Sequence, residues 1–424
     1  MIIIGTNIIN HPPMGWNSWD CFGGSVNEEQ LLANARYMRD NLKDYGWEYV
    51  VCDIQWSEPG STGHYYRNFT ELCMDEYSRL IPAENRFPSS AEGKGFKPIA
   101  DEIHKMGLKF GIHIMRGIPR QAVHRNTPVM CEGVTARDIA HPFSLCSWNT
   151  DMYGLDPNKK GAQEYYDSIM QLYADWGVDF IKCDDIANTE FKPHDPYFAA
   201  PEIEMLRKAI DKTGRKIVLS LSPGPAPIFA VEHLARNAQM WRMSGDFWDK
   251  WDRILEMFDL CRDWAPYVTD GAYPDCDMLP VGMLEKCNGN PKGRWTRFTE
   301  NEQITMLTLW SIFRSPLMIG GNMPENDDFT LKLLTNRDII EMNKNSRGAK
   351  ETFRDESRII WTAEGKNCKY ICIFNLEDEE KNITVGKDII GNCEWAKEMW
   401  SGESVTDFDF KIGAHSAVAL KTGE

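Results

Sequence analysis

Short apolar runs alternate with longer amphipathic segments over the first 340 residues or so of the chain. Brief apolar runs bounded by turn residues predict buried strands, whereas apolar residues spaced three and four apart predict helices. We predict strands at 14–19, 47–54, 109–114, 178–185, 216–222, 240–243, 267–270 and 316–320. Segments 27–46 and 159–177 are amphipathic and end in glycine, which is typical of a helix C-terminus.

Eight strands, each followed by a helical segment, predict the α/β class and within it a (β/α)8 TIM barrel. An open, doubly wound sheet is the alternative. No GxGxxG or GxxxxGK[ST] motif follows the early strands, which disfavours a nucleotide-binding form of that sheet. Stretches 56–95 and 115–158 are too long for plain turns, and loops of such length at strand ends commonly build a site.

The pattern changes in the last part of the chain. The segments "RIIWTAEG", "KYICIFNL", "NITVGKD" and "SAVALKT" are short, alternating and separated by turn residues. This pattern predicts a small antiparallel β-sandwich. We therefore expect two domains: a catalytic barrel over residues 1–345 and a C-terminal β-sandwich over residues 346–424.

The charge of the chain restricts its partners. The formal net charge of −16 argues against nucleic acids and anionic membranes, and suits a neutral substrate such as a sugar. No apolar run reaches the roughly 18 residues of a membrane-spanning helix. Twelve cysteines without a CxxC pair indicate reduced thiols and a cytoplasmic location. Whether the chain forms a homo-oligomer is left open.

The nine histidines show neither HxxxH nor HExxH spacing, so zinc is not expected. We expect no metal and no other cofactor.

Carboxylates stand where several of the predicted strands end. They are Asp53 after the second strand, Asp184 and Asp185 after the fourth, Asp246 after the sixth, and Asp275 and Asp277 after the seventh. Catalytic groups of barrel enzymes lie where strands end, so these acids should converge on one rim. They could bind Mg²⁺ or Mn²⁺, act as a pair on a glycosidic bond, or cap helices. Their number, together with Lys182 and Arg242, favours a site.

Lys182 and Asp184 are two residues apart on a predicted strand, so both side chains face the same side. A cation beside a carboxylate keeps it ionised, and an ionised aspartate can act as a nucleophile. A purely structural Lys–Asp pair is the alternative. Arg242 and Asp246 are four residues apart and could pair in the same way. An acid that donates a proton must have a raised pKa, which requires burial or a neighbouring carboxylate. The sequence does not show which of these applies.

Six segments in order resemble glycoside hydrolase family 27, the family of α-galactosidases and α-N-acetylgalactosaminidases. They are "PPMGWNSW", "GWEYVVCDIQW", "GVDFIKCDD", "MWRMSGD", "DCDML" and "ITMLTLWSIFRSPLMIGGNM", and they run from about residue 12 to residue 323. The resemblance implies a barrel followed by a small β-sandwich. It also implies a retaining glycosidase that removes terminal, non-reducing, galacto-configured pyranosyl units from small glycosides or oligosaccharides.

The resemblance also implies roles for individual residues. Asp184, in a K-x-D motif, would be the nucleophile, and Asp246, four residues after Arg242, would be the acid/base. In retaining enzymes two such carboxyl groups are about 5–5.5 Å apart. The other matching residues would hold the sugar: Trp19 against one face, Asp53 on a ring hydroxyl, Lys182 beside it, Arg242 near the 2-position, and Asp277 along the site.

One departure from the family concerns the sugar. Relatives commonly read Asp-Asp-Cys-Trp at the second strand, where the second Asp binds the 6-hydroxyl of galactose; this chain has Ile54 there. An unpaired buried hydroxyl costs about 1–3 kcal/mol, or about tenfold to a hundredfold in binding. A β-L-arabinopyranoside has the ring stereochemistry of an α-D-galactoside but lacks C6. Ile54 therefore favours a β-L-arabinopyranosidase. An α-galactosidase, in which another residue binds O6, is the alternative.

Two further departures leave other activities open. Ser222 stands where α-galactosidases tend to carry a Glu that contacts the 2-hydroxyl, and a small residue there keeps an α-N-acetylgalactosaminidase as the third interpretation. His113 replaces a Tyr that many relatives carry, and we expect it to contact the sugar or support a neighbouring residue. A catalytically inactive sugar-binding protein is the alternative from another class, and the presence of both Asp184 and Asp246 disfavours it.

Overall fold

The computed structural model describes residues 8–391 and 393–423. Within these ranges, eight short parallel strands form one sheet in which neighbours in sequence are neighbours in space. The strands are β1 (Met14–Asn17), β2 (Tyr49–Cys52), β3 (Lys109–Met115), β4 (Phe180–Asp184), β5 (Val218–Leu221), β6 (Met240–Arg242), β7 (Tyr273–Asp275) and β8 (Leu317–Ile319). β8 pairs with β1.

The two ends of this sheet meet at Leu279, directly after β7. Its backbone N–H donates to Met318 at 2.7 Å, and its carbonyl accepts from Gly320 at 2.9 Å. These bonds join β7 to β8 and close the sheet into a barrel. The predicted (β/α)8 fold is thereby confirmed.

A helix follows each strand and packs outside the barrel. The main helices are α1 (Glu28–Asn41), α2 (Lys97–Lys105), α3 (Ala162–Trp176), α4 (Ala200–Thr213), α5 (Val231–Asn237), α6 (Trp251–Trp264), α7 (Glu300–Phe313) and α8 (Arg337–Asn345). Shorter helices occupy the connections at Trp19–Phe22, Arg120–Arg125, Ala136–Ile139 and Asp328–Leu334. α3 ends before Gly177, whose left-handed φ of 90° terminates it as predicted. α1 ends at Asn41, several residues before the predicted Gly46.

The seventh strand was predicted in the wrong place. Tyr267 ends a short 3-10 helix and Thr269 forms only an isolated bridge to Ala272, whereas β7 begins at Tyr273 and contains Pro274. A proline lacks the N–H that an interior strand would donate, which disfavours "YPD" on sequence grounds alone. The structure tolerates Pro274 because regular pairing of β7 involves only β6, on one side.

The barrel interior is filled from alternate positions of the strands. Tyr49, Val51, Phe180, Val218, Met240 and Met318 form one buried cluster. The intervening residues, such as Val50 and Ile181, belong to the larger core shared with the helices. Because side chains alternate along a strand, Lys182 and Asp184 face the same way as Phe180, towards the barrel axis. This alternation carries both charges to the carboxyl-end opening of the barrel.

The C-terminal part is antiparallel. Six strands form one sheet in the order β9-β10-β11-β16-β13-β14, and two form a second, β12-β15. They are β9 (Arg347–Arg354), β10 (Arg358–Gly365), β11 (Cys368–Asn375), β12 (Lys381–Thr384), β13 (Ala396–Glu398), β14 (Ser404–Val405), β15 (Asp409–Ile412) and β16 (Ala417–Thr422). A short helix lies at Lys387–Ile390. An apolar cluster that includes Ile371, Ile383 and Ile412 links the two sheets.

The six-stranded sheet packs on the barrel through aromatic contacts. The rings of Phe374 and Phe258 lie 4.9 Å apart between centroids, and His415 stacks on Trp251 at 3.9 Å. Phe374 and Trp361 belong to the same buried core as the barrel helices. The two parts therefore share one core, although the chain passes from α8 to β9 close to residue 345. A domain boundary at that residue stays a prediction.

No helix among the described residues is long and apolar enough to cross a membrane. All twelve cysteines carry free thiols. The cytoplasmic location stays a prediction.

We predict that Phe374→Ala lowers the free energy of unfolding by about 3–5 kcal/mol, because it opens a cavity in the shared core. Urea unfolding followed by far-ultraviolet circular dichroism and by tryptophan fluorescence should then show one common transition. Phe229→Ala, at an 80% exposed barrel position, is the control and should change little. Two separated transitions in the parent chain would show that the two parts do not depend on this interface.

Candidate active site

A cavity of about 330 Å³ opens at the carboxyl ends of the barrel strands. Seven predicted site residues line it: Trp19, Asp53, Lys182, Asp184, Arg242, Asp246 and Asp277. The other three, Ile54, His113 and Ser222, are buried directly behind these lining residues. The predicted residues thus come together at one place.

Lys182 lies between two buried carboxylates. Its Nζ is 3.0 Å from Asp53 Oδ2 and 3.9 Å from Asp184 Oδ1. The same oxygen of Asp53 accepts a 2.6 Å hydrogen bond from Asn17 Nδ2, and its other oxygen accepts from the backbone N–H of Ile54 at 2.9 Å. Asp53 is therefore held from three sides, and Lys182 is fixed at the floor of the cavity.

Asp184 is held in its ionised form. His113 Nε2 lies 2.9 Å from Asp184 Oδ2, on the side away from Lys182. Burial opposes ionisation of this carboxyl, but the charges of Lys182, His113 and Arg242 outweigh it and hold the pKa of Asp184 well below its usual range. A buried, ionised aspartate at the end of β4 is suited to attack an electrophilic carbon.

Arg242, at the end of β6, organises the opposite wall. Its Nη2 lies 2.9 Å from Asp277 Oδ2 and 3.1 Å from Asp246 Oδ1, and its Nη1 is 3.4 Å from Ser222 Oγ. Asp277 also accepts from the backbone N–H of Phe247 at 2.8 Å. Asp277 and Asp184 are each 7% exposed, whereas the side chain of Asp246 is 62% exposed. The two candidate catalytic acids therefore have different surroundings.

Two of the six acids predicted at strand ends do not line the cavity. Asp185 pairs with Arg116 at 2.9 Å, and Arg116 also pairs with Glu202 at 3.0 Å, in a network below the loops. Burial raises the pKa of Asp185 to about 7, although the Arg116 charge opposes this rise. Burial and the neighbouring Asp277 raise the pKa of Asp275 to about 7 as well. The structure thus brings four of the six acids to the cavity lining, and Asp185 and Asp275 lie outside it.

Aromatic side chains from the long loops form one wall of the cavity. Trp19 stacks on Tyr66 with ring centroids 5.8 Å apart and an interplanar angle of 13°. Tyr66 contacts Trp148 at 5.4 Å, and Trp19 contacts His64 at 5.1 Å. The predicted loops 56–95 and 115–158 thus do contribute to the site.

Several residues that line the cavity were not predicted from the sequence, namely Asp20, His64, Tyr66, Trp148, Glu190 and Trp248. The loop lengths indicated the region, but these residues follow no periodic pattern that singles them out. Asp20, directly after Trp19, is the one that its position at a strand end could have revealed. Burial, with Asp277 nearby, raises the pKa of its carboxyl well above the ordinary value.

Ile54 lies behind the aromatic wall. Its side chain is 5% exposed and clusters with Met115, Cys146 and Met152, against which Trp19, Tyr66 and Trp148 pack. This cluster backs Trp19, Tyr66 and Trp148, which line the cavity near Asp53. Its members offer no oxygen acceptor for a hydroxyl group.

Among the residues that the structure describes, no group of three His, Cys, Asp or Glu is placed to hold a metal ion. Lys182 and Arg242 supply the positive charge between the carboxylates.

Two carboxylates in unlike surroundings, beside an aromatic wall, suit two-step hydrolysis of a glycosidic bond. The fold and the site together define a glycoside hydrolase. A family profile described as Melibiase_2, alpha galactosidase A, matches residues 157–345. Alpha-galactosidase 2 of Arabidopsis thaliana is 25% identical over 411 residues, which cover 94% of this chain and 85% of that protein.

Two solved structures are more similar. The β-L-arabinopyranosidase of Geobacillus stearothermophilus in complex with arabinose is 50% identical, with a TM-score of 0.94 and 98% of each chain covered. A proposed α-N-acetylgalactosaminidase from Bacillus halodurans is 47% identical, with a TM-score of 0.87 and coverage of 98% of this chain and 99% of that one. This chain belongs to glycoside hydrolase family 27, whose members retain anomeric configuration, and is a galactosidase-type enzyme.

We predict that His113→Leu moves the acidic limb of the kcat/KM profile to higher pH. His113 favours the ionised form of Asp184, so its loss leaves burial less opposed and Asp184 takes up a proton at higher pH. The profile is measured with a nitrophenyl glycoside. The control is His104→Leu. His104 lies on α2 and pairs with Asp179 at 2.7 Å. An unchanged limb in His113→Leu would contradict the electrostatic role of His113.

Proposed function

We propose that this enzyme is a β-L-arabinopyranosidase that releases terminal, non-reducing units from small glycosides or oligosaccharides. The observation that carries the proposal is Ile54, an apolar residue directly after Asp53 and within a buried apolar cluster. The likeness to the Geobacillus stearothermophilus β-L-arabinopyranosidase, at 50% identity, supports it.

The 6-hydroxyl of galactose distinguishes the two sugars. If Asp53 binds a ring hydroxyl, the C6 group of a galactoside points towards the surface formed by Ile54 and its neighbours. A hydroxyl that loses water without gaining a partner costs about 1–3 kcal/mol. An arabinopyranoside presents only a ring methylene at this place and loses nothing. The apolar cluster therefore selects against galactose more than it selects for arabinose.

Two other activities have specific observations in their favour. Several curated relatives carry the name alpha-galactosidase, at about a quarter identity. For an α-N-acetylgalactosaminidase, Ser222 is small and lies 3.4 Å from Arg242, near the proposed 2-position. Neither observation provides a partner for the 6-hydroxyl that both of those sugars carry. We therefore place both activities after β-L-arabinopyranosidase.

We propose that Asp184 is the nucleophile and Asp246 the acid/base. An Asp184 oxygen forms a bond to the anomeric carbon while the bond from that carbon to the leaving oxygen breaks, and the proton of Asp246 moves to that oxygen. Water then attacks the anomeric carbon, gives its proton to Asp246, and displaces Asp184. Two inversions return the original configuration. Lys182 and His113 keep Asp184 ionised for the first step.

Azide distinguishes the two catalytic roles, and we predict opposite stereochemical outcomes. In Asp184→Gly, azide enters the space of the lost carboxylate and attacks directly, which gives an inverted glycosyl azide. In Asp246→Gly, the arabinosyl-enzyme still forms from nitrophenyl β-L-arabinopyranoside, and azide intercepts it with retention. Without azide, Asp246→Gly should lose about 10²–10⁴-fold in kcat/KM for poor leaving groups. Nuclear magnetic resonance of the products is the measurement, and exchanged stereochemistry would reverse the two assignments.

We predict that Ile54→Asp raises kcat/KM for nitrophenyl α-D-galactopyranoside relative to nitrophenyl β-L-arabinopyranoside by about tenfold or more, because it provides an acceptor for the 6-hydroxyl. Ile54→Leu keeps the apolar surface and should leave this ratio nearly unchanged. A parent enzyme that hydrolyses the galactoside faster than the arabinopyranoside would refute the proposed sugar preference.

A further inference from the structure

The cavity has a floor and a mouth that differ in exposure. Asp53 is fully buried and Asp184 is 7% exposed, whereas the side chain of Asp246 is 62% exposed. A general acid delivers its proton to the leaving oxygen, so the leaving group must lie on the side of Asp246. Residues at the mouth therefore meet the leaving group, and residues at the floor meet the sugar that is transferred.

Glu190 places a second carboxylate at this mouth. It lines the cavity, is exposed, and follows β4 in the segment that leads to α4. Ser147 Oγ, from the preceding long loop, donates to Glu190 Oε2 at 3.0 Å. No lysine, arginine or histidine of the described residues forms an ion pair with Glu190 within 4.0 Å. One oxygen of this carboxylate is thus fixed, and the other is available to accept a hydrogen bond.

The segment around Glu190 is held in place. The backbone N–H of Thr189 donates to the carbonyl of Pro196 at 2.8 Å, and Thr189 is 1% exposed. Asn188 Nδ2 donates to the carbonyl of Pro225, in the loop after β5, at 3.0 Å. The backbone that carries Glu190 is therefore fixed, which lowers the entropy cost of a contact with this residue.

Two indole rings complete the mouth. Trp148 and Trp248 both line the cavity and are partly exposed. Trp248 contacts His64 with ring centroids 5.9 Å apart, and Arg294 lies 6.0 Å from its ring. Indole faces pack on apolar surface, and a pyranose offers such surface through its C–H groups. The carboxylate of Glu190, by contrast, disfavours a second negative charge at the mouth.

We propose that Glu190, Trp148 and Trp248 form a leaving-group site for a neutral sugar. The enzyme then acts on terminal units linked to a second neutral sugar, in preference to units linked to a uronic acid. Hydroxyl groups of the leaving sugar donate to Glu190, and its C–H face packs on indole. The inference rests on the proposed role of Asp246 as acid/base. It is independent of which galacto-configured sugar occupies the floor.

The test compares three substrates with one glycosyl group: nitrophenyl β-L-arabinopyranoside, a β-L-arabinopyranosyl disaccharide with a neutral leaving sugar, and its counterpart with a uronic acid leaving sugar. Glu190→Ala should lower kcat/KM about tenfold for the neutral disaccharide and less than twofold for the nitrophenyl glycoside. Full nitrophenyl activity also shows that the variant folds. Glu356→Ala, at an exposed position of the bend between β9 and β10, is the matched control and should change neither value.

Glu190→Gln provides the second measurement. It keeps an acceptor but removes the charge, so it should raise the ratio of kcat/KM for the uronic acid substrate to that for the neutral one several-fold. Equal losses on all substrates, or no loss on the disaccharide in Glu190→Ala, would overturn the inference. If the parent cleaves galactosides instead, the sugar assignment fails. The galactosyl versions of the three substrates then still test Glu190.

Discussion

Lys182 carries a single positive charge between two buried carboxylates, and the organisation of the site depends on this contact. Removal of one partner from a buried ion pair leaves an uncompensated charge and costs several kcal/mol, typically about 3–5. Asp184 and Asp53 raise the pKa of Lys182, although burial opposes that rise, so the ammonium keeps its proton. The same charge lets a carboxylate remain ionised at the floor of a cavity from which most water is excluded.

Barrel geometry makes this contact possible. His113 in β3 is in register with Lys182 in β4, and Met115 is in register with Asp184. Lys182 can therefore reach past β3 to Asp53, which follows β2, while His113 approaches Asp184 from the neighbouring strand. Each residue needs only its place near a strand end, because curvature of the sheet brings strands two apart within reach of one long side chain.

The place of a residue near a strand end explains which site residues could be predicted from the sequence. Lys182 and Asp184 share one face of β4, which ends at Asp184, whereas Asp185 follows the strand with a left-handed φ of 58°. The structure places Asp185 in a separate network with Arg116. The strands and their terminal acids follow from the local pattern of the sequence. The predicted position of β7 was wrong because the strand contains a proline. The partners of Trp19 in the aromatic wall could not be predicted, since Tyr66 meets Trp19 only after the long loop that follows β2 folds back over the barrel.

The charge at the floor also limits what can replace Ile54. Burial, together with Asp184 and Asp53, raises the pKa of Tyr66 well above its ordinary value, so this side of the cavity already disfavours negative charge. A carboxylate in place of Ile54 would directly follow Asp53 and would lie among Met115, Cys146 and Met152, which offer it no charged partner. Such a residue is stable only with a further donor, and the 6-hydroxyl of a galactoside would be one. An apolar residue needs no donor. The proposed sugar preference therefore rests on an apolar residue placed beside the charged floor of the cavity.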